Sequence, residues 1–127
     1  MKTTATVAQW IVRVAGILLV ILGAAFWVGR GLRFVSLHML LGIILVLALW
    51  VVAGTGFAAG SAALGAVGIV WGLVVVALGL VQTSLLPGSA HWVIQVIHLL
   101  VGLGAIALGE RITAAVRSSR AAPAVSG

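Results

Sequence analysis

The chain has 127 residues, of which 64% are hydrophobic and only 6% charged, with a mean hydropathy of +1.39. Seven Lys or Arg face a single acidic side chain, Glu110, for a formal net charge of +6. A soluble domain carries about a quarter charged residues, so this composition excludes one and calls for a bilayer as solvent. With no cysteine, disulfides, iron–sulfur clusters, thiolate zinc sites and covalently attached haem are excluded as well. The seven cations are scattered and do not form a basic face with interleaved aromatics, which argues against a nucleic-acid partner.

A span needs about 20 apolar residues, and residues 34–109 carry no formal charge. That run holds three spans, and the stretch before Arg30 supplies a fourth. The breakers predict spans at 8–29, 33–53, 62–85 and 90–112. Arg30-Gly31 closes the first, Gly54-Thr55-Gly56 and Gly60-Ser61 mark the second turn, and Pro87-Gly88-Ser89 marks the third. The expected fold is therefore an all-α, up-down-up-down four-helix transmembrane bundle over residues 1–112. A flexible cytoplasmic tail is expected over 113–127. Although Lys2 precedes an apolar stretch, Trp10–Gly29 is long for a signal peptide and is read as a helix.

Four spans place both termini on one side, with Lys2, Arg13, Arg111, Arg117 and Arg120, against Arg30 and Arg33 opposite. The positive-inside rule then predicts cytoplasmic termini in an inner or plasma membrane. The halves also repeat. Gly16–Gly23 resembles Gly72–Gly79, and His38-Met-Leu-Leu-Gly42 resembles His98-Leu-Leu-Val-Gly102, as in a duplicated helical hairpin.

Polar side chains within a bilayer are few here: Ser36, His38, Gln82, Gln95 and His98, with His91 at the water boundary. His38 lies five residues past Arg33 and His98 seven past His91, so both sit about 8–11 Å in from the non-cytoplasmic end. Gly23 and Gly79 fall at the same depth on the first and third spans. On the fourth span His91, Gln95, His98, Gly102, Ala105 and Gly109 recur on one face, polar outside and small inside. Small stripes mark packing faces, so the histidines are expected to point inward.

Two inward histidines at one depth suit axial ligation of one haem b, with Gly23 and Gly79 leaving room and Arg30 and Arg33 near the propionates. The alternatives are interhelical hydrogen bonding by structural histidines, and metal or proton handling. His91 is read as interfacial, and Gln82 and Gln95 as interhelical contacts. Trp10, Trp27, Trp50 and Trp92 are expected as interfacial anchors, with Trp71 packed more deeply. Arg13 and Glu110 are expected to pair, and Gly68-xxx-Gly72 to serve either internal packing or a homo-oligomer.

The His38 and His98 motifs, each followed by glycine four residues on, resemble those of small bis-histidine membrane cytochromes b of the b561-like four-helix type. The resemblance covers residues 8–112. It implies electron transfer rather than bond-making catalysis, with a quinone or a redox protein as partner. Members of that class often hold two haems on four histidines; three histidines here allow one bis-histidine haem. The rival expectation is a non-catalytic subunit or scaffold within a larger membrane complex. A small multidrug exporter would need an acid inside the bilayer, and Glu110 lies at the cytoplasmic end of the fourth span.

Overall fold

The structure, a computed structural model, describes residues 1–119. Four helices account for nearly all of them: α1 Lys2–Trp27, α2 Val35–Ala58, α3 Ala62–Val81 and α4 His91–Ser118. Short 3-10 turns, Leu32–Phe34, Gln82–Ser84 and Gly88–Ala90, lead into or out of them. Each helix is long and apolar enough to cross a membrane. Consecutive helices pack side by side, α4 closes on α1, and the chain forms the expected up-down-up-down bundle. The bundle is not square, because α2 and α4 also touch across its diagonal.

Three sequence expectations need correction. Gly54-Thr55-Gly56 is not a turn but part of α2, which runs five residues past the predicted end. Gly56 is held there by close packing, since a Cβ on it would lie 2.9 Å from Ile112. The Thr55 hydroxyl donates to the Val52 carbonyl at 2.6 Å, so it stays compatible with helix. The chain instead reverses at Gly60, whose φ of +81° is a conformation that only glycine adopts without strain. Likewise residues 113–118, expected as tail, continue α4, because Thr113 and Val116 are buried against the bundle. The rest of that expected tail, 120–127, lies outside the described residues. Finally, Trp50 is not near a helix end. With α2 extended to Ala58 it lies about 12 Å inside the helix end, between α2 and α3.

Glycine sets how the helices approach. The Trp50 indole donates to the Ile69 carbonyl at 3.2 Å and covers Gly72 three residues on. Trp71 repeats the device one helix later: it donates to the Val101 carbonyl at 3.0 Å and covers Gly104. A Cβ on Gly16 would lie 2.8 Å from Ile106 Cγ1, and one on Gly65 2.8 Å from Phe57. Gly68 meets Ala53 and Ile112, so both glycines of Gly68-xxx-Gly72 are used inside the bundle.

The packing is lopsided along the bundle axis. Buried apolar residues form two clusters, one around Val12, Leu45, Leu49 and Ala105, the other around Ala5, Val52, Ala53, Ile112 and Val116. The first lies at mid-height and the second toward the end that carries the termini. From the level of Leu45 outward to the end that carries both paired histidines, Ile94 is the one buried hydrophobic side chain among the described residues.

Two alanine substitutions test the role of the glycines. Gly104→Ala would force Trp71 off its carbonyl and is expected to destabilise the bundle by about 1–3 kcal/mol. Gly54, on the outer face with nothing near its Cβ position, is expected to gain about 0.5–1 kcal/mol as Ala. Reversible unfolding in detergent by circular dichroism measures both.

Candidate functional site

His38 projects from the second turn of α2, and His98 from α4 two turns after its start. These are the two helices that meet across the diagonal, so the imidazoles come together, with ring centroids 6.2 Å apart and planes inclined at 42°. Each ring is half-buried. On its other side each meets a glycine of its own hairpin. His38 Cε1 lies 3.9 Å from the Cβ position of Gly23 on α1, and His98 Cε1 lies 3.7 Å from that of Gly79 on α3. The four residues thus occupy one layer, arranged alike in the two hairpins. Phe26 adds a tilted ring contact to His38, at 5.4 Å between centroids.

The electrostatics of the pair are unusual. Nδ1 of His38 and Nδ1 of His98 are both buried and both without a hydrogen-bond partner. An imidazole nitrogen taken out of water with nothing to bond costs of order 1–3 kcal/mol. Two such nitrogens facing apolar surroundings at one depth make a site able to accept something with an empty coordination position or a proton to donate.

Apart from Gly54 on the outer face, the helical glycines of the two halves differ. In the tightly packed half, Gly16, Gly56, Gly65, Gly68, Gly72, Gly104 and Gly109 would each place a Cβ within 3.0 Å of a neighbour. In the histidine half, Gly23 and Gly79 have only the His Cε1 atoms nearby, and Gly42 and Gly102 have nothing within 4 Å. No protein atom requires glycine at these four positions, although glycine inside a helix costs roughly 1 kcal/mol relative to alanine. At these four positions no side chain is added beside the two rings.

Arg30 and Arg33 lie in the α1–α2 connection at this end and are exposed. The Arg33 guanidinium stacks on Phe34, 4.7 Å from the ring centroid, rather than reaching the histidines. His91 begins α4, and its Nδ1 donates to the Leu85 carbonyl at 3.1 Å, tying the α3–α4 connection to the helix start. Gln82 and Gln95 are half-buried, and Ser36 is exposed. Among the described residues no three His, Cys, Asp or Glu side chains converge as a metal site.

A second polar cluster occupies the opposite end. Arg13 pairs with Glu110 through two guanidinium nitrogens, Nε to Oε1 and Nη2 to Oε2, the latter at 2.8 Å. Gln9, buried beside Gly109, donates its amide to the same carboxylate at 2.8 Å. The sequence indicated the Arg13–Glu110 pair but not Gln9. A polar residue one turn from Arg13 on the same face of α1 was the available signal.

No protein family, curated protein or solved structure matches the chain. The site therefore has to be read from its own chemistry. Gly42→Ala and Gly102→Ala test whether these glycines serve the fold. Each is expected to leave the protein as stable or about 0.5–1 kcal/mol more stable, by thermal unfolding in detergent, because no neighbour is displaced.

Proposed function

We propose that the chain is a small b-type cytochrome that binds one haem b through His38 and His98 and passes electrons without bond-making catalysis. The observation that carries this reading is the spacing of the pair. Two imidazoles on opposite sides of one metal ion, each about 2 Å from it, have centroids about 6 Å apart; the two rings here are 6.2 Å apart. Two protein ligands are too few for a structural zinc site, but they complete an iron whose other positions a porphyrin supplies.

The surroundings support the same reading. The ligands come from the diagonal helices α2 and α4, so a flat group between them would turn its edges to α1 and α3. Those are the helices that present Gly23 and Gly79. Gly42 and Gly102 keep the next layer free of side chains, and the buried, unpartnered nitrogens gain a use. Arg30 and Arg33, at the adjacent membrane boundary, would serve the propionates, with Arg33 leaving Phe34 to do so. Such a group would supply one-electron chemistry, and His38 and His98 would hold it in place. The expected partner is a quinone or a redox protein. Charge asymmetry supports cytoplasmic termini in an inner or plasma membrane, with the histidines toward the other side.

A second reading has one observation in its favour. The Phe26–His38 ring contact is ordinary packing that needs no cofactor, as expected of a membrane subunit whose histidines merely hold helices together.

A reduced-minus-oxidised absorption spectrum of protein purified with haem supplied separates the two. The cytochrome shows the sharp α-band of a low-spin b haem, lost in His38→Ala and His98→Ala and restored to His98→Gly by added imidazole. Gly79→Leu, which crowds the layer, is expected to lower haem content severalfold while the helices persist by circular dichroism. A folded but colourless protein would leave the subunit reading in its place.

A further inference from the structure

Among the described residues Arg111 has no counter-charge. Glu110 is the only acidic side chain, and its carboxylate is already held by Arg13 and Gln9. The other basic side chains that do find partners are accounted for: Arg13 also lies over Trp10, Arg33 over Phe34, and Arg117 donates to the Thr6 hydroxyl at 3.2 Å. Arg111 is exposed and makes no hydrogen bond, ion pair or ring contact among the described residues.

It also stands at a particular place. A groove of about 210 Å³ opens between α3 and α4, lined by Val67, Trp71, Gly104, Ala107, Leu108 and Arg111. Arg111 is twenty residues along α4 from His91, about 30 Å at helical rise, which is the thickness of a hydrocarbon core. Gly104 is seven residues back, so the groove runs inward from the guanidinium for about 10 Å, along the direction of an acyl chain. Its walls are apolar, and its one charge lies at headgroup depth. The matching molecule has an anionic head and an apolar tail in that same order.

We propose that this groove is a binding site for an anionic phospholipid, with Arg111 on the headgroup phosphate and one acyl chain lying against Trp71 and Ala107. The expected orientation puts it in the cytoplasmic leaflet, where anionic lipids concentrate. The inference does not depend on the histidine pair, which lies at the other end of the bundle.

Trp71 is a built-in reporter. In phosphatidylcholine vesicles, the full chain is titrated with phosphatidylglycerol bearing brominated acyl chains, and in parallel with brominated phosphatidylcholine. The Trp71 share of the fluorescence is obtained by difference from Trp71→Phe. Brominated phosphatidylglycerol is expected to quench that share at a severalfold lower mole fraction than brominated phosphatidylcholine. Arg111→Gln is expected to abolish the difference, and Arg117→Gln, which removes a charge at the same end, to retain it. Ala107→Ile, which obstructs the groove and leaves Arg111 in place, is expected to abolish it too, and decides the matter if Arg111→Gln folds poorly. Equal quenching by the two lipids in the unaltered chain overturns the proposal. So does an equal effect of Arg111→Gln and Arg117→Gln, which would mean diffuse surface attraction.

Discussion

Lipid tails are as apolar as leucine, so a bilayer offers almost no hydrophobic gain when two helices meet. What remains is close contact, and here close contact depends on glycine. Trp50 over Gly72, Trp71 over Gly104, Ile106 over Gly16 and Gln9 over Gly109 repeat one solution at three interfaces, a large side chain set against bare backbone. At two of them the indole nitrogen also bonds a carbonyl of the opposing helix, which removes a polar group from hydrocarbon while fixing the register. Register set in this half carries through stiff helices into the half where fewer side chains are buried. The histidines are therefore brought together by contacts made several turns away from them.

That division of labour explains why the bundle is dense at one end and sparse at the other. With the hydrocarbon counted from His91, α4 continues seven residues past Arg111, about 10 Å into the headgroups and water. The cluster of Ala5, Ala8, Val52, Ala53, Ile112 and Val116 lies toward that end. In the histidine half no protein atom needs the four glycines. A rigid scaffold with an adaptable layer is an arrangement in which a site can be shaped without endangering the fold.

Much of this was legible in the sequence. Charge-free runs and breakers defined four helices, and equal depth plus helical spacing placed His38, His98, Gly23 and Gly79 in one layer. Long-range pairing of Arg13 with Glu110 followed from there being only one acid to find. The failures share a cause. Glycine breaks soluble helices by exposing backbone, but in a membrane bundle it is what a neighbouring helix packs on, so Gly54-Thr55-Gly56 read as a turn while continuing α2. The misplaced helix end then misplaced Trp50. Apolar pattern alone also ended α4 too early, because the polar and charged residues past Ile112 hid the buried Thr113 and Val116. The diagonal contact of α2 with α4 could not be read at all, since spacing gives faces but not which faces win.

The pair between Arg13 and Glu110 also orders events in time. Arg13 leaves the ribosome with the first helix and its carboxylate with the last, 97 residues later. During that interval the nascent chain holds a cation one or two turns inside its first span and no acidic side chain to meet it. The first helix must therefore sit with Arg13 drawn toward the headgroups until the fourth arrives. Closing α1 against α4 is the step that ends this waiting state, and it is also the step that completes the ring of helices. Assembly thus carries its own completion signal, given when the last helix neutralises the first.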